Sequence, residues 1–78
     1  MRAIDVALAA GLPPRLAYTI EETAAYSGFQ ESELRKAVKR GWLMALKPRG
    51  ATRPLYIEPE ELERYMREEM TAWRSEEA

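Results

Sequence analysis

The stretch Thr19-Ile20-Glu21-Glu22-Thr23-Ala24-Ala25-Tyr26-Ser27-Gly28-Phe29-Gln30 decides how this chain folds. Thr19 and Glu22 have the spacing of a capping box, in which the threonine hydroxyl accepts from the Glu22 amide and the Glu22 carboxylate accepts from the Thr19 amide. A helix is therefore predicted to open at Ile20. Ile20 and Ala24 share one face, and the small Ala24 suits a close crossing by a second helix. Gly28 suits the left-handed position that ends a helix, and Phe29 fills the corner of the turn. Gln30 then opens a second helix to about Arg40, stopped by Gly41, with Leu34, Ala37 and Val38 as its inward set. Two short helices joined by a glycine-containing turn are the helix-turn-helix signature.

Downstream of Trp42 the periodicity changes. Residues 43–47 and 55–57 read as two strands, joined by the turn-rich loop Pro48-Arg49-Gly50-Ala51-Thr52-Arg53-Pro54. Leu55 and Ile57 share a face, and Tyr56 points the other way. Trp42 is expected to brace this hairpin against the helices. Pro59 fits the first position of a last helix, whose positive N-terminal end is complemented by Glu58, Glu60, Glu61 and Glu63. Leu62, Tyr65, Met66, Met70 and Trp73 recur at spacings of three and four and predict an apolar stripe. Upstream, residues 2–10 are helix-permissive, closed by Gly11 and Pro13-Pro14, with Ile4 and Leu8 placed for a small apolar contact. The expected organisation is an N-terminal arm or short helix over 1–17, a domain over 18–66 and a C-terminal extension over 67–78. Its class is mainly α with a small β-hairpin.

Charge is segregated along the chain. Between Gln30 and Arg53 stand Arg35, Lys36, Lys39, Arg40, Lys47, Arg49 and Arg53 against only Glu31 and Glu33, a local balance of +5. From Pro54 to Ala78 the balance reverses to −5, so a total of −1 conceals a dipolar sequence. A basic block over a short helix and the loop after it is the electrostatic footprint of a nucleic-acid reader.

Composition narrows the classes. At 46% hydrophobic and 32% charged, the 78 residues suit one small globular domain rather than a disordered chain. With neither cysteine nor histidine there is no disulfide staple, no thiolate site, and none of the usual zinc ligands or general bases. An enzyme is not expected, and neither a metal nor another cofactor. The apolar run Ile4 to Leu12 is too short to span a bilayer and is broken by Asp5, so a cytoplasmic protein with no membrane partner is expected; the basic block makes it nucleoid-associated, and no small-molecule substrate is expected.

The run from Tyr18 to Phe29, followed by Glu33-Leu34-Arg35-Lys36-Ala37-Val38-Lys39-Arg40-Gly41-Trp42-Leu43, resembles the MerR-like winged helix-turn-helix of phage excisionases and related small DNA-binding proteins. Leu55-Tyr56-Ile57 and Glu60-Glu61-Leu62-Glu63-Arg64-Tyr65-Met66 resemble that family's second wing strand and final helix. The likeness covers roughly residues 18–66. Gln30 and Glu31 stand where the family more usually has a serine and a basic residue. The resemblance implies a recognition helix at about 31–40 in the major groove and a wing at about 47–54 on the adjacent minor groove or backbone. It also implies a recombination directionality factor, which bends attachment-site DNA and helps a phage integrase run excision.

The residues expected to touch double-stranded DNA follow. On the recognition helix, Ser32, Arg35, Lys36, Lys39 and Arg40 are candidates, with an arginine donating to a guanine edge and lysines and serine on phosphates. On the wing, Lys47, Arg49 and Arg53 are candidates, the arginines suited to a narrow minor groove. The plain alternative is a solvated helix face and a charged loop. Glu33 is expected to pair with Arg40 or Lys36, while Glu31 could accept from a cytosine amino group; a local ion pair is the simpler account of both.

About five phosphate contacts would imply a roughly 500-fold loss of affinity between about 50 and 200 mM salt. One such module buries only about 600–1,000 Å² on DNA. Self-association or cooperative binding is therefore expected, with Met66, Met70 and Trp73 as candidate contacts to a second copy or another protein. Two rivals share these residues: a small winged-helix transcriptional regulator, and a protein-interaction module that keeps the fold and docks through its last helix.

Overall fold

The computed structural model describes residues 1–71 and Trp73. It is mainly helical, with four helices and one two-stranded antiparallel sheet: α1 (Ala3–Ala9), β1 (Tyr18–Thr19), α2 (Ile20–Ser27), α3 (Glu31–Lys39), β2 (Tyr56–Ile57) and α4 (Pro59–Glu68). None of the described helices is long and apolar enough to cross a membrane.

The capping box at Thr19 forms as its spacing predicts. The Glu22 amide donates to Thr19 Oγ1 and the Thr19 amide to Glu22 Oε1, both at 3.0 Å. Gly28 ends α2 at φ 87°, a left-handed conformation that only glycine adopts without steric penalty. Gly28, Phe29 and Gln30 then turn the chain into α3, where the Gln30 amide donates to Glu33 Oε1 at 3.0 Å. At the far end of α3, the Trp42 amide reaches the Ala37 carbonyl and the Gly41 amide the Val38 carbonyl, the paired bonds of a Schellman stop. Leu34 and Ala37 are buried and Val38 partly so, which matches the inward set read from the sequence.

The core gathers Tyr18, Ile20, Tyr26, Leu34, Ala37, Leu43, Ile57 and Leu62, together with Ala3 and Ala7 of α1. Helix α1 is thus part of the packed body. It lies on α2 and α4, and the Ala3 amide donates to Glu63 Oε2 of α4 at 2.6 Å. Its buried face is Ala3 and Ala7 rather than the expected Ile4 and Leu8: Ile4 is half-buried, and Leu8 is exposed. Two alanines let the backbones approach closely, and the larger side chains are left at the rim. Tyr18 Oη donates to the Pro13 carbonyl at 2.8 Å and accepts from the Arg15 amide at 3.2 Å, which fixes the proline connector to the core. The Tyr18 ring meets that of Tyr26 edge-on, with centroids 5.7 Å apart.

The expected hairpin between 43–47 and 55–57 does not form as a ladder. β2 pairs instead with β1, in the register Tyr18 with Ile57 and Thr19 with Tyr56. The first predicted strand contributes one bridge, between Leu46 and Tyr56, its amide 2.7 Å from the Tyr56 carbonyl. The cause is α4. Glu61 Oε2 accepts the Met44 amide at 2.9 Å, and Arg64 Nη2 donates to the Trp42 carbonyl at 2.8 Å. These bonds hold the Trp42 carbonyl and the Met44 amide to α4, and the Leu43 amide turns to the Ala37 carbonyl, so the ladder is reduced to the bridge at Leu46.

Two side chains are placed differently from expectation for related reasons. Trp42 is exposed; its ring lies under the Arg40 guanidinium at 5.2 Å, and the neighbouring Leu43 takes the core position. Leu55 is also exposed, and only Ile57 of that pair is buried. The stripe on the last helix ends early as well. Leu62 is buried and Tyr65 partly so, but α4 stops at Glu68, so Met70 and Trp73 lie beyond it, and Met66, Met70 and Trp73 are all exposed.

Candidate functional site

Helix α3 is two-faced because Leu34, Ala37 and Val38 turn inward. Ser32, Arg35, Lys36, Lys39 and Arg40 are then all exposed. Its acidic residues Glu31 and Glu33 sit at the N-terminal end and its cations toward the C-terminal end, an arrangement that also complements the helix dipole. The positive surface therefore lies over the last two turns of the helix.

The loop after Leu46 folds back toward that surface. Arg35, Lys39 and Arg53 rim one open groove of about 390 Å³, whose floor is Ile20, Val38 and Pro54. A second recess along the same helix is lined by Arg35, Lys36, Lys39 and Arg40. Among the described residues, no carboxylate lies within ion-pair distance of Lys36, Lys39, Arg40, Lys47, Arg49 or Arg53. These charges are available to an external anion.

Not every expected residue joins this surface. Ser32 lines a separate recess on the α4 side, with Glu33, Trp42 and Tyr65, which Lys36 borders as well as the basic one. Lys47 and Arg49 are exposed on the loop and line neither basic groove. Of the three expected wing cations, only Arg53 lines a groove with the cations of α3. The expected pairing of Glu33 with Arg40 or Lys36 is not found; the Glu33 carboxylate takes the Gln30 amide at the head of the helix instead. The ion pair on this face belongs to Glu31 and Arg35, whose Nε and Nη2 both reach Glu31 Oε2 at 2.7 Å. Its i, i+4 spacing on a helix was the available signal for that pair.

Sequence reasoning also passed over the groove floor and the tether behind it. Ile20, Val38 and Pro54 read as core or turn residues, and only the return of the loop makes them a floor. Arg64 binds Glu61 through Nε and Nη2 at 2.9 and 2.7 Å, and reaches Glu68 and Glu69. Glu61 is held below the ordinary carboxylate range, chiefly by the Arg64 hydrogen bonds and also by the Met44 amide. The Arg64 guanidinium is correspondingly pushed up by the Glu61 hydrogen bond. This cluster fixes the chain at 42–44 as it leaves α3, and the bonds between Leu46 and residues 55–56 close the loop that carries Arg53.

No protein-family model matches the chain, and neither a curated protein nor a solved structure matches it.

Proposed function

We propose that this chain is a sequence-specific, double-stranded-DNA-binding protein built as a winged helix-turn-helix, with α3 as the recognition helix and residues 47–54 as the wing. The observation that carries the reading is the convergence of Arg35 and Lys39 of α3 with Arg53 of the loop around one groove, with further cations, Lys36 and Arg40, continuing along the helix. An apolar floor beside three cations suits a sugar-phosphate strand, with the deoxyribose on Ile20, Val38 and Pro54, the phosphate on Lys39 and Arg53, and Arg35 turned to a base edge. α3 has a slender exposed face of the kind that enters a major groove. Phosphate contacts set the register, and base-edge contacts from the same helix supply sequence preference.

Within this class, the order of elements favours the excisionase type, a recombination directionality factor that bends attachment-site DNA for an integrase. The exposed Met66, Met70 and Trp73 supply apolar surface for contact with a second copy or an integrase. A small transcriptional regulator would use the same reading head but need not bend its site.

The test is fluorescence anisotropy on labelled duplexes across a salt series. Lys39→Ala and Arg53→Ala are expected to weaken binding on all sequences, each flattening the salt slope by about one. Arg35→Ala is expected to relax preference at one base pair. Unchanged affinity in all three variants would reject the reading. Energy transfer between duplex ends, measured with saturating protein, then separates an architectural protein from a repressor that leaves the duplex straight.

A further inference from the structure

Arg35 is set apart from the other cations of the basic face. Lys36, Lys39, Arg40 and Arg53 have no carboxylate partner among the described residues, whereas Arg35 is paired to Glu31 one helical turn away. The form of that pair matters. A guanidinium has two planar forks of N–H groups: a side fork from Nε and Nη2, and an end fork from Nη1 and Nη2. Glu31 Oε2 occupies the side fork, taking both Nε and Nη2 at 2.7 Å. The end fork is left for an outside acceptor. Arg35 itself lines the basic groove with Lys39 and Arg53.

Resting on the DNA-binding reading, we infer that Glu31 is a specificity-determining residue that keeps Arg35 on a base edge and off the phosphates. An arginine whose charge is already balanced gains little from a phosphate, and a phosphate brought close to Arg35 also meets the negative Glu31. Guanine O6 and N7 are neutral acceptors spaced for two parallel N–H groups, so the end fork binds them without that repulsion. The face therefore divides its work. Lys36, Lys39, Arg40 and Arg53 supply affinity for any duplex, and the Glu31–Arg35 pair supplies discrimination at the expense of affinity. An acidic residue at the head of a DNA-reading helix then has a role beyond capping.

The experiment compares the intact protein with Glu31→Ala, Glu31→Gln, Arg35→Ala and Lys36→Ala, each checked for native helical content by circular dichroism. Binding duplexes are selected from a random pool, and affinities are measured on the selected duplex and a scrambled one over a salt series. Selection by the intact protein is expected to show a G·C pair that Arg35→Ala no longer enriches. Glu31→Ala is expected to lose the same position, with discrimination reduced by about tenfold. It should also bind scrambled duplex more tightly, with a salt slope steeper by about one as Arg35 moves to a phosphate. Glu31→Gln keeps an acceptor for the side fork and is expected to retain part of the discrimination, while Lys36→Ala weakens both duplexes together. If Glu31→Ala tightens both duplexes by the same factor and keeps the selected position, the inference is wrong although DNA binding stands. If the intact protein retains no duplex even at low salt, the DNA-binding reading itself falls and takes this inference with it.

Discussion

Thr23 lies wholly inside α2 with a hydroxyl that reaches no partner among the described residues. A buried hydroxyl without a hydrogen bond carries its desolvation penalty uncompensated, and its replacement by an apolar group of the same shape relieves that penalty. Thr23→Val is accordingly expected to stabilise the fold by about 1 kcal/mol, read as a higher denaturant midpoint at unchanged m-value. Tyr26 makes a useful contrast. Its hydroxyl is likewise buried without a partner, and burial raises it to about 12, so it stays neutral throughout the physiological range. Its ring, however, packs edge-on against Tyr18, and loss of that contact would offset any gain from removing the oxygen. Individual positions of this kind were legible only in part. The Thr19 and Glu22 cap was readable because both partners are neighbours in the chain, whereas nothing local indicates which buried hydroxyl lacks a bond.

Gly28 shows how much an element pair depends on one backbone conformation. Its φ of 87° turns α2 into α3, and nothing lies within 4 Å of the place a Cβ would occupy. The penalty for a side chain there is therefore one of backbone strain rather than collision. Gly28→Ala is expected to destabilise the protein by about 1–2 kcal/mol, with Gly28→Asn losing less because asparagine tolerates the left-handed region better. Thermal melts of the two variants beside the parent give the ordering. The elements themselves were largely readable. The capped start of α2, the glycine stops of α2 and α3, the inward set of α3 and the proline opening α4 all depend on near neighbours. β1 was not readable, because Tyr18–Thr19 becomes a strand only by pairing with Tyr56–Ile57 from the other end of the fold. The predicted strand at 43–47 is cut short for the opposite reason: the Met44 amide goes to Glu61 of α4 and the Leu43 amide to the Ala37 carbonyl of α3, which leaves Leu46 to pair with Tyr56.

At the scale of the whole molecule, two carboxylates link stability to pH. Glu22 is held below its ordinary value of 4.5 mainly by the Thr19 amide, and Glu61 mainly by Arg64. Because both are depressed in the folded state, their contributions are fully present above the ordinary value and are lost as pH falls through the lowered one. Unfolding midpoints are expected to be flat near neutrality and to fall as the pH drops below about 4.5. In Glu61→Gln, one of these two contributions is missing, so a shallower acid decline is expected, together with a looser attachment of 42–44 to α4. An acid decline identical to the parent's would show that Glu61 does not anchor that segment.

The sequence by itself determined the starts of α2, α3 and α4, the glycine stops of α2 and α3, the two-faced character of α3 and the segregation of positive charge, because each depends on residues within about one or two turns of one another. Tertiary structure alone decided that α1 packs on α2 and α4, that Leu43 rather than Trp42 is buried, and that Arg53 returns to stand beside Arg35 and Lys39. Those outcomes hang on contacts between distant segments: Ala3 with Glu63 for α1, Arg64 and Glu61 with Trp42 and Met44 for the chain after α3, and Leu46 with Tyr56 for the loop. Such contacts arise from the competition of every buried surface for the same core, and no local pattern records who wins it.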